Sequence, residues 1–227
     1  MSDYKIATKC IHSGYTPKNG EPRQLPICQS TTYKYDSSVE MGKLFDLEAS
    51  GYFYTRLQNP TNDCVAAKIA DLEGGVAAVL TSSGQAANFF AIFNICSAGD
   101  HVVASSAIYG GTFNLFNVTM RKLGIEFTFV TPQCSEEELE AAFKENTKAV
   151  FGETLSNPSL QVLDIEKFAN AAHRHGVPLI VDNTFPTPIN CQAFKYGIFI
   201  ALGPVKITAV NDYTAYLSGV TVHIFGG

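Results

Sequence analysis

Two short stretches of this 227-residue chain have residue types and spacing that could do chemistry. Thr81-Ser82-Ser83-Gly84-Gln85-Ala86-Ala87 follows an apolar run and opens a helical one, so small residues and free backbone N–H groups gather at a helix N-terminus. Such a place attracts anions, although Ser-Gly before a helix also serves as a plain cap. It is not a Walker loop, since no Gly-Lys-Ser/Thr follows, and it is not a G-x-G-x-x-G turn; a phosphate cradle of another kind and simple capping both stay open. Val181-Asp182-Asn183-Thr184 puts a carboxylate at the C-terminal end of an apolar strand, where open α/β sheets bind their ligands. There it could cap a helix or salt-bridge locally, or pair with a cationic ring nitrogen.

The elements around these stretches alternate from about residue 60 onward. Residues 62–72 carry apolar side chains at helical spacing and stop at Gly74-Gly75. Residues 76–81 form a short apolar run, as a strand buried on both faces would. The cycle repeats: helix over 85–96, strand over 101–105, helix over 112–123, strand over 125–130. Ser135-Glu136-Glu137-Glu138 starts another helix with acids in its first turn. A strand near 149–153, a helix over 165–175 and a strand at 178–181 follow. This order predicts an α/β domain with a wound, mostly parallel sheet and helices on both faces. Residues 1–58 break the rhythm and read as an extended arm or lid, with a local loop as the alternative. Residues 198–227 change character again, with Lys206 and Asp212 as their only charges and room for a strand or hairpin at the sheet edge.

Composition narrows the function. With 46% hydrophobic and 16% charged residues the chain reads as globular. No run reaches the roughly eighteen apolar residues of a membrane span, and no apolar segment follows the first residues to act as a signal peptide, so a cytoplasmic, membrane-free location is expected. A net charge of −5 without a basic stripe argues against nucleic acid and for small-molecule chemistry. The six cysteines show no CxxC pair and no histidine at ligand spacing, so we expect reduced, mostly buried thiols and no metal.

A set of phrases then resembles a known family. Tyr54-Thr55-Arg56, Asn59-Pro60-Thr61, Ser82-Ser83-Gly84, Tyr109-Gly110-Gly111-Thr112, Ser156-Asn157-Pro158 and Asp182-Asn183-Thr184 occur in the order and at about the intervals of the cystathionine γ-synthase group of fold-type I, pyridoxal 5'-phosphate (PLP) dependent enzymes of cysteine and methionine metabolism. Thr8, His12, Gly14 and residues 26–33 look like the same family's opening segment, and residues 51–63 are similar to its O-acetylhomoserine sulfhydrylase branch. The resemblance implies a PLP-binding large domain over 59–227 and an arm over 1–58 that contacts a neighbouring subunit. It implies that Gly84 and Gln85 offer N–H groups to the cofactor phosphate, and that Tyr54 and Arg56 reach the phosphate of a neighbour. Tyr109 would stack on the ring and serve in proton transfer, Asn157 would contact the ring hydroxyl, and Asp182 would bind the ring nitrogen with Thr184 beside it. The implied reaction is γ-replacement on O-acetylhomoserine with a sulfur nucleophile, giving homocysteine or methionine, in a homodimer or homotetramer with shared sites acting on an amino-acid substrate. Methionine γ-lyase or cystathionine γ-synthase chemistry would use the same residues, and a cofactor-binding module without turnover is the alternative of a different class.

The pattern departs from the family near its end. The anchoring Schiff-base lysine is expected near position 207, which is Ile207; Lys206 stands one residue early, and Gly203 and Val205 replace the hydroxyls expected beside it. Lys206 is the candidate anchor, its nitrogen expected in a cleft bounded by Gly84, Tyr109 and Asp182, against the reading of an ordinary surface charge. The family's smaller C-terminal domain is absent from the chain, and a truncated or frame-shifted gene, a fragment or a misassigned tail would each account for residues 198–227.

Overall fold

The computed structural model describes residues 4–203 and, for backbone pairing, 220–223. It divides into two compact units, Met1–Asp71 and Leu72–Gly227; Lys206 lies outside the described residues.

The first unit is built by hydrogen bonds more than by apolar packing. Helix α1 (Ile6–His12) and helix α2 (Ser38–Phe45) are short, and α2 starts where the Ser37 hydroxyl accepts the Glu40 N–H at 3.2 Å. Helix α3 (Pro60–Glu73) begins with proline in its first turn, where the missing N–H costs nothing. Buried Asn59 organises the approach to it: its side chain accepts the Thr61 N–H at 2.9 Å and donates to the Cys28 carbonyl at 3.1 Å. Thr61 Oγ1 returns the favour by accepting the Cys28 N–H at 2.9 Å, and a single antiparallel bridge joins Thr32 to Tyr54. The segment expected as an extended arm is thus locally tied through Asn59, a polar hub that apolar periodicity does not register.

The second unit is a seven-stranded sheet in the order β1-β7-β6-β5-β4-β2-β3. The strands are β1 (Val79–Leu80), β2 (His101–Ser105), β3 (Glu126–Val130), β4 (Thr147–Glu153), β5 (Leu179–Asp182), β6 (Ile200–Gly203) and β7 (Val220–His223). Pairs β2–β3, β2–β4, β4–β5 and β5–β6 are parallel, as expected of an α/β fold. Strand β7 runs antiparallel between β6 and β1, so the tail supplies a strand that sits inside the sheet and not at its rim.

Helices cover both faces, and strand alternation sorts the core in two. Val102, Ala104, Phe151 and Ile180 pack with Ile92 of α4 (Gly84–Phe93), with Phe116 and with Met120. Val103, Val150, Leu179 and Val181 face the other way, against Leu139 of α6 (Glu136–Ala141) and Phe168 of α7 (Ile165–Arg174). Burial on both faces explains why the parallel strands read as continuous apolar runs. Helix α6 carries the capping box anticipated from its Ser-Glu-Glu-Glu start, Ser135 and Glu138 bonding each other's backbone N–H.

Two expectations are corrected. The apolar run over 76–81 is not a strand buried on both faces: only Val79 and Leu80 pair, Val79 is half exposed, and the strand sits at the sheet edge with one neighbour. The helix expected over 112–123 begins at Gly110 as α5 (Gly110–Asn114) and widens into a π-helical segment, Leu115–Met120, which brings Phe116 and Met120 to full burial.

Candidate active site

The C-terminal ends of the parallel strands deliver the chemistry. A cleft of about 330 Å³ is lined by Ser83, Gly84, Gln85, Asn88, Tyr109, Thr112, Glu153, Leu155, Asn157, Asp182, Thr184 and Phe185. Six residues expected from sequence therefore share one cavity: Gly84, Gln85, Tyr109, Asn157, Asp182 and Thr184. Tyr54 and Arg56 belong to the N-terminal unit, where the Arg56 guanidinium lies over the Tyr54 ring at 5.2 Å from its centroid.

At one end of the cleft is the start of α4. Ser83 caps it, its hydroxyl accepting the Ala86 N–H at 3.0 Å, so the capping reading of this phrase is correct. Capping uses one first-turn donor, and helix geometry leaves the neighbouring N–H groups of Gly84 and Gln85 without an intrahelical partner. A Cβ built at Gly84 meets nothing within 4 Å, so open space adjoins these donors. The Gln85 and Asn88 side chains both donate to Thr112 Oγ1, each at 3.1 Å, which fixes this wall.

At the other end is Asp182, the last residue of β5. Oδ1 accepts the Thr184 N–H at 3.0 Å and also the Thr184 hydroxyl. Burial pushes the carboxyl above its usual range, while the two Thr184 bonds and one from Asn88 pull it back. A cation placed against it would offset the cost of burying the charged form.

Glu153 was not foreseen. It ends β4 in register with Asp182 on β5, is only 6% exposed, and accepts the Tyr109 N–H at 2.7 Å. Burial pushes its carboxyl up to about 7; the Tyr109 and Asn157 N–H groups lower it and the neighbouring Asp182 charge raises it. The signal that singled out Asp182, an acid ending an apolar strand, is equally present in Lys148-Ala149-Val150-Phe151-Gly152-Glu153. Asn88 also escaped notice: one helical turn beyond Gly84, it is buried and its Oδ1 has no hydrogen-bond partner among the described residues.

Tyr109 stands at the N-cap of α5, half exposed towards the cleft. Its ring lies so close over Gly111 that a Cβ there would sit 2.6 Å from Cε1, which explains glycine at this position. The cleft thus combines anion-binding N–H groups, a flat aromatic side chain, a polar amide and a half-buried carboxylate with a preference for a cationic partner. An aromatic, phosphorylated molecule with a basic ring nitrogen fits this donor set, and PLP is such a molecule.

Comparison with known proteins agrees. The family model for Cys/Met metabolism PLP-dependent enzymes matches residues 7–226. An O-acetyl-L-homoserine sulfhydrylase of Corynebacterium glutamicum is 49% identical over 213 residues, 93% of this chain and 48% of the relative. A homocysteine/cysteine synthase of Kluyveromyces lactis is 44% identical over 190 residues, 82% of this chain and 43% of the relative. Among solved structures, an O-acetylhomoserine (thiol)-lyase of Campylobacter jejuni containing N'-pyridoxyl-lysine-5'-monophosphate matches with TM-score 0.87 and 33% identity, over 98% of this chain and 54% of that one. The chain spans about half the length of the curated relatives it matches.

Proposed function

Because the chain belongs to the family of Cys/Met metabolism PLP-dependent enzymes, we propose that it binds PLP in this cleft and replaces the γ-acetoxy group of O-acetylhomoserine with a sulfur nucleophile, giving homocysteine or methionine. The observation that carries the reading is the half-buried carboxylate of Asp182 in one cavity with the N-terminus of α4. Relatives named O-acetyl-L-homoserine sulfhydrylase at 40–49% identity support the choice of substrate.

In this reading Gly84 and Gln85 hold the phosphate, Tyr109 covers the ring, Asn157 meets the ring hydroxyl, and Asp182, oriented by Thr184, keeps the ring nitrogen protonated. The bound cofactor supplies an electron sink for the carbanion that γ-replacement needs. The Tyr109 hydroxyl moves a proton near the substrate, and Lys206 is the anchor. Tyr54 and Arg56 complete the phosphate site of a neighbouring subunit, which makes the working form a homo-oligomer. The six free cysteines fit a reducing cytoplasm; among the described residues no helix is long and apolar enough to cross a membrane.

The test is to add PLP to the purified chain, follow visible absorbance, fix the adduct with borohydride and map the labelled lysine. The loaded protein is then supplied with O-acetylhomoserine and sulfide. Homocysteine as the main product, with label on Lys206, is the expected result. Cystathionine formed preferentially from cysteine, or thiol released from methionine, would transfer the assignment to a γ-synthase or γ-lyase. A chain that binds PLP without any lysine label or product would be a cofactor-binding module.

A further inference from the structure

Glu153 is the one buried carboxylate of the cleft to which the proposed function gives no task. It is placed where two loops with no direct connection in the chain meet. Tyr109 arrives from the turn after β2, and Asn157 from the turn after β4. Glu153 Oε1 accepts the Tyr109 backbone N–H at 2.7 Å, and the Asn157 N–H also favours the charged form of the carboxyl. Its own position is set by β4, in register with Asp182 on β5.

A carboxylate suits this place better than its neutral isostere. It is acceptor-only, so either oxygen can take the Tyr109 N–H, whereas a glutamine has one accepting oxygen and can turn its NH2 group towards that donor. Burying a carboxylate beside Asp182 is costly, and a purely space-filling role would be served by an apolar side chain. Gly111 makes room for the Tyr109 ring, which lies where a Cβ would stand 2.6 Å from its Cε1.

We infer that Glu153 is a positioning residue, resting on the function proposed above: its carboxylate holds the Tyr109 backbone in the cleft that Asn157 also lines, and thereby sets the ring-facing wall of the cofactor cleft. It acts through Tyr109, takes part in no bond making or breaking, and couples the wall to the strand that carries Asp182 through their shared register.

The test uses the purified chain, PLP as probe, and Glu153→Gln and Glu153→Asp variants. Three quantities are read: the PLP dissociation constant, the visible circular dichroism per bound PLP, and the thermal unfolding midpoint without PLP. Glu153→Gln is expected to bind PLP about tenfold more weakly, the loss of one charge-assisted hydrogen bond. Its ellipticity per bound PLP should fall because the ring is held less asymmetrically, while the unfolding midpoint stays near wild type. Glu153→Asp keeps the charge on a shorter arm, and is expected to fall between. A folded variant with wild-type affinity and wild-type ellipticity overturns the inference while leaving the proposed function standing. A wild-type chain that takes up no PLP overturns both. Variants that both fail to fold would assign Glu153 to stability and overturn the positioning role.

Discussion

The two units of this protein solve the folding problem by different means. In Leu72–Gly227 two apolar clusters on opposite faces of a sheet are sealed by helices, and Val102, Val103, Ala104, Phe151 and Leu179 lose all solvent contact. In the described part of Met1–Asp71 the buried residues are Leu44, Asn59 and Ala70, and order comes from side-chain hydrogen bonds around Asn59 and from a Lys9–Asp71 ion pair. The first design draws on the hydrophobic effect, which is roughly proportional to buried area; the second depends on polar contacts that each contribute little net of water. A substitution should therefore hurt in proportion to volume in one unit and to geometry in the other.

The largest effect is expected at Phe151. Its ring is fully buried on β4, edge-on to Phe116 with centroids 4.8 Å apart. Phe151→Ala removes that packing and leaves a cavity, a loss of about 3–5 kcal/mol. Urea unfolding followed by far-ultraviolet circular dichroism measures it. A loss under about 1 kcal/mol, the level of an exposed site, would erase the proposed contrast between the units.

The same contrast governs how much was legible in the sequence. Burial on both faces makes strands β2, β4 and β5 continuous apolar runs, and these, with helices α3, α4, α6 and α7, lie where the pattern put them within a few residues. Collinear motifs placed Gly84, Gln85, Tyr109, Asn157, Asp182 and Thr184, and all six share the cleft. Glu153 is legible only as the acid that ends an apolar strand, since none of the collinear motifs includes it. The N-terminal unit resisted because a hub such as Asn59 binds residues 28, 33 and 55, and polar contacts of that kind leave no period in the sequence. The two-residue β1 was over-read since an apolar run states composition and not whether a partner lies on each side.

The second effect concerns pH in the larger unit. Glu73 is buried, takes one hydrogen bond from Asn183 at 3.3 Å, and leaves Oε2 without a partner among the described residues. Burial pushes its carboxyl up from 4.5 to about 7. A raised acid gives stability that is fully present below the unfolded value and is lost as pH rises to the folded one, on the order of 3 kcal/mol between about pH 4.5 and 7. Glu153 acts in the same sense. In Glu73→Gln the decline in urea midpoint from pH 5 to pH 7.5 should be clearly shallower than in the wild type; parallel declines would remove Glu73 as its source.

Third comes geometry in the smaller unit. Gly14 has φ +88°, and a Cβ there would lie 2.2 Å from the Cys64 carbonyl oxygen, a backbone atom that cannot swing away. Gly14→Ala should cost about 1–3 kcal/mol within Met1–Asp71 through strain at a left-handed position. Hydrogen exchange should quicken on α1 and the first turns of α3 while the amides of β2 and β4 keep their protection. Equal quickening in all four elements would deny the units their separate responses.

The smallest effect is expected at the Lys9–Asp71 pair, and its sign is the sharpest test of the comparison. The nitrogen lies 2.7 Å from Asp71 Oδ1, and both side chains are about a fifth exposed. The hydrogen bond from Lys9 and then that from Ser13 hold the Asp71 carboxyl below its usual value. A depressed acid contributes stability above its unfolded pKa and loses it as pH falls through the folded value, so this term vanishes on the acid side of 3.8. Lys9→Met keeps the aliphatic stem and removes the charge. Because the pair is partly open to water, the expected cost near neutral pH is about 1 kcal/mol or less, smaller still at high salt. Local hydrogen exchange of α1 should separate Lys9→Met from wild type more at pH 7 than at pH 3. The smaller unit would then weaken on acidification where Glu73 makes the larger one strengthen, and a difference at α1 that persists undiminished at pH 3 would show that Lys9 acts by packing alone.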